Sequence, residues 1–194
     1  GASQGRRVVL NPLITCGECD ACLGGRANLC ASRDLIGMYR PGAFAQQIAI
    51  ATRNLISVPD GMDMAHAALT EPAATALHAV NLAVRVSHRP VGESRCLVLG
   101  GGSVGLFAAL LLAHHGAVEV ALAETNALRR ASAQSTGLCE PFDPLCSPCA
   151  DDAFDIVIDA VGSGITRACA SGAAKAGGVV VHVGLQDSKA GLDT

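Results

Sequence analysis

Residues 97–105, with the sequence LVLGGGSVG, join a short apolar run to a glycine-rich turn. An uncharged segment follows, so the pattern is typical of a β-strand, a G-x-G-x-x-G turn and the start of an α-helix. Gly100 permits a tight turn, Gly102 leaves room for a pyrophosphate beside the backbone, and Gly105 lets the helix pack closely against the strand. The stretch therefore predicts a dinucleotide-binding α/β domain.

The cofactor prediction depends on the start of this helix and on the end of the next strand. Pyrophosphate oxygens would bind free N–H groups at the helix start, near Ser103 and Val104. Glu124 ends the next predicted strand 19 residues after the last glycine, where a carboxylate can accept hydrogen bonds from both ribose hydroxyls and repels a 2′-phosphate. Arg129 and Arg130 are the opposing signal, because arginine can accommodate the 2′-phosphate of NADP. We interpret both as a solvated helix face, which favours NAD over NADP.

Strands and helices alternate around this turn. Apolar runs predict strands near residues 96–99, 118–123, 138–142, 154–160 and 178–183. Helices are predicted near residues 103–115, 126–136 and 163–176. Alternation at this spacing implies right-handed crossovers and a parallel sheet. We therefore expect a Rossmann-type, doubly wound parallel sheet over residues 69–194.

Residues 1–68 carry strand and turn signals instead. Val8–Leu10 is a short apolar run, and residues 42–50 read as another strand after a Pro-Gly turn. A helix is expected to follow Pro72, a residue that the first turn of a helix tolerates.

Four cysteines lie within 15 residues, at the spacing C-x2-C-x2-C-x7-C: Cys16, Cys19, Cys22 and Cys30. Four thiolates brought together by tight turns form a closed tetrahedral site for Zn²⁺, which would be structural because no position remains for water or substrate. An iron–sulfur cluster fits less well, since the ferredoxin pattern has a shorter last spacing and a proline after the last cysteine. Four unrelated thiols remain the simplest alternative. The other five cysteines are expected to be small core residues or free thiols.

The composition excludes several classes of protein. Half of the 194 residues are apolar, 16% are charged, and the net charge of −3 gives no basic footprint for nucleic acid. Residues 96–113 carry no charge but contain four glycines, so we expect no membrane span. Nine cysteines without a secretory signal indicate a reducing compartment, and we expect a soluble, cytoplasmic protein.

The cysteine loop followed by the glycine fingerprint resembles the zinc-dependent medium-chain dehydrogenase/reductase family, which includes alcohol, polyol and threonine dehydrogenases. The motifs VPDG at residues 58–61 and TEPA at residues 70–73 belong to the same resemblance. A methyltransferase could share the glycine turn, but it would not account for the cysteine loop. The resemblance implies that residues 1–68 are part of a GroES-like, β-rich catalytic domain with a zinc lobe.

Further site residues follow from the resemblance alone. It implies that Glu71 belongs to the shell of a catalytic zinc, although by itself the carboxylate could simply favour a helix N-terminus. Thr75, one turn later, would pack against the nicotinamide. Val183, Gly184 and Leu185 resemble the segment that meets the carboxamide.

The resemblance implies NAD-dependent, zinc-dependent oxidation of a secondary alcohol or polyol to a ketone by hydride transfer, with a homo-oligomeric parent protein. The family's catalytic cysteine, its Gly-His-Glu motif and a sixth strand of the sheet are not found in the 194 residues. We therefore expect a fragment lacking both ends, inactive alone. The alternatives are a noncatalytic nucleotide- and zinc-binding remnant and an NADP-dependent alcohol dehydrogenase/reductase. A zinc-free quinone reductase is disfavoured by the cysteine lobe and Glu71.

Overall fold

The computed structural model describes residues 4–187, and the chain divides into two compact units, Gly1–Glu71 and Pro72–Thr194. Helix α3 (Thr70–Val86) is continuous in sequence across this division. Within the described part, none of the helices is both long and apolar enough to cross a membrane.

The first unit is built from short strands and turns. Strand β1 (Val8–Leu10) pairs antiparallel with β4 (Leu55–Ser57), and β2 (Leu13–Ile14) pairs antiparallel with β3 (Asp34–Leu35). Helix α1 (Asp20–Leu23) lies in sequence between β2 and β3, and α2 (Met64–Ala67) follows β4.

A buried amide connects the segments of the first unit. The side chain of Asn54 is 4% exposed, and its Nδ2 donates to the carbonyl oxygens of Asn11 at 2.9 Å and Leu13 at 2.8 Å. Because these two carbonyls flank the turn between β1 and β2, the amide ties that turn to the chain entering β4.

The predicted strand over residues 42–50 is wrong. Residues 43–46 form bends and residues 47–50 have no regular structure. The side chain of Phe44 is fully exposed, so the largest apolar residue of this stretch covers no core. A strand also needs a hydrogen-bonded neighbour, and no pairing with this stretch occurs among residues 4–187.

The second unit is a parallel sheet of five strands in the order β7-β6-β5-β8-β9, so the predicted α/β fold is confirmed. The strands are β5 (Arg95–Leu99), β6 (Glu119–Ala123), β7 (Glu140–Phe142), β8 (Phe154–Asp159) and β9 (Ala174–His182). Besides α3, the helices are α4 (Ser103–His114), α5 (Ala127–Ser135) and α6 (Gly164–Ala173).

Several predicted boundaries differ from the structure; β9, for example, begins at Ala174 rather than at residue 178. Helix α3 begins at Thr70, two residues before Pro72, which a first turn accepts because the missing N–H would have no partner in the helix there. Helix α6 ends at Ala173 rather than at residue 176, because β9 begins directly at Ala174.

Apolar side chains cover both faces of the sheet. Val98, Ile156 and Ile158 lie in one buried cluster with residues of α3 and α4, whereas Leu97 and Val157 lie in a second cluster with residues of α6. Successive strand residues therefore alternate between two cores, as in a doubly wound sheet. The backbone loops at the carboxyl ends of β5, β6 and β8 are positioned by these cores.

Candidate functional site

The turn after β5 requires glycine at two positions. Gly100 has φ +95°, and a Cβ added there would lie 2.6 Å from Cγ2 of Val161. A Cβ on Gly105 would lie 1.8 Å from the carbonyl oxygen of Gly100, so α4 approaches the strand as closely as its backbone allows. A Cβ on Gly102, in contrast, would meet no atom within 4 Å among the described residues. The turn is thus tight against the protein and open at Gly102.

The start of helix α4 is suited to an anion. Gly102 is its N-cap residue, and no side chain of residues 4–187 caps the first turn, which begins with Ser103 and Val104. Uncapped N–H groups and the helix dipole favour phosphate oxygens at such a position.

Glu124, directly after β6, is bonded to this turn. Its Oε2 accepts a hydrogen bond from the N–H of Gly101 at 2.7 Å, and its Oε1 accepts one from the N–H of Asn126 at 2.7 Å. Burial opposes ionisation, but the N–H groups of Asn126 and Gly101 and the nearby Arg129 guanidinium hold the pKa of Glu124 below its usual value. The carboxylate is 6% exposed and ionised.

The two arginines after Glu124 differ in their surroundings. Arg129 is 60% exposed, with its Nη1 3.6 Å from Oε2 of Glu124. Arg130 is 24% exposed; its Nη1 donates to the carbonyl oxygens of Glu124 at 2.8 Å and Thr125 at 2.7 Å, and it pairs with Asp143 at 3.0 Å. The expected solvated helix face therefore describes Arg129, but it is wrong for Arg130, which fixes the end of β6.

A cavity of about 690 Å³ lies beside the turn, within the range of small-molecule pockets. It is bordered by four of the predicted cofactor residues: Gly100, Gly102, Glu124 and Arg129. Ser103, Val104, Gly105 and residues 183–185 are not part of its lining.

Sequence reasoning missed most of the polar lining of this cavity. These residues are Thr125, Ser163, Thr166 and Gln186, together with the thiols of Cys149 and Cys169. Several follow the carboxyl ends of parallel strands, where α/β sheets bind their ligands, and that position is the signal that could have found them.

Another residue that sequence reasoning missed, Asp159, organises the ends of β8 and β9. Its side chain is fully buried; Oδ1 accepts hydrogen bonds from the N–H groups of Val161 at 3.0 Å and Gly162 at 2.9 Å, and Oδ2 lies 3.1 Å from Nδ1 of His182. Its carbonyl oxygen accepts from the N–H of Gly184 at 3.0 Å. This network positions the segment predicted to meet a carboxamide, of which Val183 and Gly184 are half-buried and Leu185 is 88% exposed.

Glu71 and Thr75 lie one turn apart on α3. Glu71 is exposed in the first turn, and Thr75 is half-buried. Thr75 does not line the cavity, and its contact with the nicotinamide stays a prediction. The role of Glu71 in the shell of a catalytic zinc also stays a prediction.

The four cysteines of the first unit form one cluster. The ligand atoms of Cys16, Cys19, Cys22 and Cys30 all lie within 4.8 Å of one another. The Sγ atoms of Cys16 and Cys22 are 3.9 Å apart, and those of Cys30 and Cys16 are 3.6 Å apart. A tetrahedral zinc site with Zn–S bonds of about 2.3 Å requires sulfur atoms about 3.8 Å apart. The donor set therefore fits this metal.

The backbone around the cluster favours thiolate. The N–H groups of Glu18 and Cys19 lower the pKa of Cys16 to about 6. The N–H of Cys22 acts in the same direction on Cys19, but hydrogen bonds with the thiols of Cys22 and Cys16 raise the pKa of Cys19 to about 11. Gly17 has φ +83° and Gly25 has φ +72°. Glycine adopts this left-handed backbone conformation readily, and the resulting turns bring the cysteine segments together. Thiolate is the form that binds metal.

The fold and these two sites define a class of protein: an α/β unit with a glycine-rich turn beside a cavity, preceded by a β-rich unit with a four-cysteine cluster that fits a metal. Residues 1–60 match the family described as "Alcohol dehydrogenase GroES-like domain". The chain is 36% identical over 138 residues to 2-dehydro-3-deoxy-L-galactonate 5-dehydrogenase of Pseudoalteromonas atlantica, an alignment that covers 71% of this chain and 39% of that protein.

Solved structures agree with the class. A protein from Sinorhizobium meliloti 1021, described as a zinc-binding dehydrogenase and bound to NADP, has a TM-score of 0.86 and 30% identity, covering 98% of this chain and 57% of the other. Acetophenone reductase from Geotrichum candidum, in complex with NAD, has a TM-score of 0.85 and 30% identity, and the match covers 96% of this chain and 54% of the reductase.

The chain is thus similar to proteins of the zinc-dependent medium-chain dehydrogenase/reductase family, and its residues 1–60 match the GroES-like domain of that family. The chain spans 39% to 54% of the length of the curated relatives that it matches.

Proposed function

We propose that this chain is part of an NAD-dependent dehydrogenase that oxidises a secondary alcohol or polyol to a ketone by hydride transfer. The observation that carries the proposal is the ionised Glu124 carboxylate, held 2.7 Å from the N–H of Gly101 at the edge of the 690 Å³ cavity. Turn, carboxylate and cavity lie together in the second unit, and the named relatives are dehydrogenases.

The cofactor would bind along this edge of the sheet. Its pyrophosphate would lie at the open position beside Gly102 and the uncapped start of α4. Each carboxylate oxygen of Glu124 has a lone pair beyond those already used by the backbone, so the side chain can accept from ribose hydroxyls. The fixed negative charge would repel a 2′-phosphate, which favours NAD.

The competing cofactor is NADP, and Arg129 is the observation that favours it. Its guanidinium is 60% exposed and borders the same cavity. By turning away from Glu124 it could pair with a 2′-phosphate.

The cysteine cluster would hold one structural zinc through Cys16, Cys19, Cys22 and Cys30. Its sulfur separations match a tetrahedral site, and four protein ligands leave no position for substrate. This ion would stabilise the first unit and take no part in hydride transfer.

The chemistry of the reaction needs a second metal site. A catalytic zinc, when bound, supplies the Lewis acidity that lowers the pKa of the alcohol. Within this chain, Glu71 would belong to the shell of that ion, Thr75 would pack against the nicotinamide ring, and Val183, Gly184 and Leu185 would orient its carboxamide.

Cofactor titration by calorimetry tests the cofactor assignment. We expect NAD to bind at least about 10-fold more tightly than NADP, a difference of about 1.4 kcal/mol. Glu124→Gln should reduce this preference and Arg129→Ala should increase it, whereas the exposed control Glu140→Gln should leave it unchanged. If NADP binds more tightly than NAD and Arg129→Ala removes this preference, the NADP-dependent alternative is established. If neither nucleotide binds, the proposal is overturned.

The reaction is tested by NADH formation with a panel of polyols and secondary alcohols, using the zinc-loaded protein that carries this chain. Glu71→Ala should lower kcat by about 10²-fold or more if the carboxylate helps to hold the Lewis acid. Unchanged turnover in this variant would remove Glu71 from the metal shell.

A further inference from the structure

Two cysteines that the proposed reaction does not use border the same cavity. Cys149 lies in the loop between β7 and β8, and Cys169 lies on α6. Both are half-buried, and both pack against the buried cluster that contains Phe154 and Ala170. The loop and the helix thus each bring one thiol to one cavity wall.

The two thiols interact directly. A side-chain hydrogen bond from Cys169 lowers the pKa of Cys149 to about 7, although burial opposes this shift. The same interaction, with burial, raises the pKa of Cys169. The acidic groups facing the pair are Asp151, which disfavours thiolate at both cysteines, and Asp159, which disfavours it at Cys169. Thiolate is therefore favoured at Cys149 and the protonated thiol at Cys169.

The remaining cysteines of the second unit lack this arrangement. Burial raises the pKa of Cys96 to about 12 and also raises that of Cys139. Cys146 is exposed, and it does not line the cavity. Reactivity follows thiolate character together with access, and Cys149 combines the two.

We propose that Cys149 and Cys169 form a redox-active dithiol in the wall of the nucleotide cavity, with Cys149 as the attacking thiol, Cys169 as the resolving thiol and a hydroperoxide as the oxidant. The site is a modification site in addition to the proposed dehydrogenase function. Only the protection of Cys149 by nucleotide rests on that function.

The chemistry balances in two steps. The Cys149 thiolate attacks one oxygen of hydrogen peroxide, the O–O bond breaks, and the departing hydroxide takes a proton to leave as water, which makes Cys149 a sulfenic acid. The Cys169 sulfur then attacks the sulfenic sulfur, the S–O bond breaks, and the departing hydroxide takes the Cys169 proton as a second water. Two thiols are oxidised by two electrons, one peroxide is reduced to two waters, and a thiol reductant reverses the change.

A disulfide here would join the β7–β8 loop to α6. Both segments line the cavity, with Leu145 and Pro148 on the loop and Ile165 and Thr166 on the helix. A bound nucleotide would cover the thiols, and the disulfide would in turn fix the distance between the loop and the helix. Oxidation and nucleotide binding should therefore oppose each other.

Peptide mapping tests the dithiol. The zinc-loaded protein is treated with one equivalent of hydrogen peroxide, blocked and digested with trypsin, which places Cys149 in residues 131–167 and Cys169 in residues 168–175. We expect these two peptides to be joined through Cys149 and Cys169, in the native chain and equally in the matched control Cys146→Ser. A bond between Cys146 and Cys149, or oxidation spread evenly over all cysteines, would overturn the proposal.

Alkylation by iodoacetamide supplies a second readout that does not depend on the disulfide. Cys149 should react with a midpoint near pH 7, and Cys169→Ala should move this midpoint upward because the hydrogen-bond donor is lost. An unchanged midpoint in that variant, checked to be folded by circular dichroism, would contradict the assigned pair.

Nucleotide protection separates this proposal from the proposed function. Saturating NAD should slow alkylation of Cys149 by at least 10-fold. If the disulfide forms but NAD gives no protection, the dithiol stands and the assignment of the cavity to nucleotide fails. If NAD binds by calorimetry but peroxide never joins the two cysteines, the dithiol fails and the proposed function stands.

Discussion

The two units of the chain are stabilised by different means. Of the described residues up to Glu71, the buried apolar side chains are Cys30, Val58 and Ala67, and the strands are two or three residues long. The second unit buries long apolar side chains on both faces of a five-stranded sheet. A region with so little apolar burial needs another source of stability, which the four-cysteine site would supply.

The largest expected effect follows from removing this metal site. Cys30→Ser, or chelation of the native protein, should abolish a stabilisation on the order of 10 kcal/mol. Hydrogen exchange should then become fast over residues 13–35 and stay slow over β5 and β8. Cys146→Ser is the matched control and should retain one zinc per chain by elemental analysis. Unchanged hydrogen exchange over residues 13–35 in the metal-free protein would show that the first unit does not depend on metal for its stability.

A core substitution in the sheet should destabilise the second unit and leave the first unit unchanged. Leu97 is fully buried, so Leu97→Ala should lower the free energy of unfolding of the second unit by about 2–5 kcal/mol. Urea denaturation followed by circular dichroism measures this loss, and exchange over residues 13–35 should not change. Leu128→Ala removes the same atoms from an 81% exposed position and should change the stability by less than about 0.5 kcal/mol.

Substitutions at two glycines of the turn after β5 should affect stability and NAD binding differently. Gly105→Ala places a methyl group 1.8 Å from a backbone oxygen, so it should cost about 1–3 kcal/mol of stability and weaken NAD binding. Gly102→Ala meets no protein atom but faces the cavity, so it should weaken NAD binding by 10-fold or more with an unchanged urea midpoint. Equal loss of stability in the two variants would contradict the geometry of the turn.

The smallest expected effect is a pH dependence confined to the second unit. Burial opposes the ionisation of Asp155, but the N–H of Arg95 and the ammonium of Lys175 hold the pKa of Asp155 below its usual value. The ionised form is therefore favoured in the folded state. Its contribution is complete above the ordinary carboxyl pKa of about 4 and is lost as the pH falls through the lower folded-state pKa.

Urea midpoints measured from pH 7 to pH 3 check this sign. Asp155→Asn should flatten the decline at low pH, whereas the exposed control Glu140→Gln should keep it. A decline of the same slope in both variants would show that other carboxylates control the acid response.

Sequence reasoning succeeded where structure is determined locally. The apolar run before Gly100 and the glycine spacing predict a strand, turn and helix that the structure contains within one residue. It failed for residues 42–50, because a mostly apolar stretch after a Pro-Gly turn does not show whether a partner strand exists. It also failed for Arg130, since a solvated helix residue and one bonded to two carbonyl oxygens have the same local sequence.

The cavity shows the same limit. Glu124 was found from its distance along the chain, but its bond to Gly101 depends on the pairing of β5 with β6. Cys149 and Cys169 were interpreted as ordinary core or free thiols, because their proximity arises only when the β7–β8 loop and α6 meet.

The contact between Gly162 and Gly184 has a consequence for protein engineering. A Cβ on Gly162 would lie 2.0 Å from the carbonyl oxygen of Gly184, and a Cβ on Gly184 would lie 2.1 Å from the carbonyl carbon of Val161. Both clashes are with backbone, so no choice of side chain at the other position relieves them. A library that randomises either codon will therefore consist almost entirely of wild type after selection for folding, and diversity aimed at this end of the sheet belongs at exposed Leu185 instead.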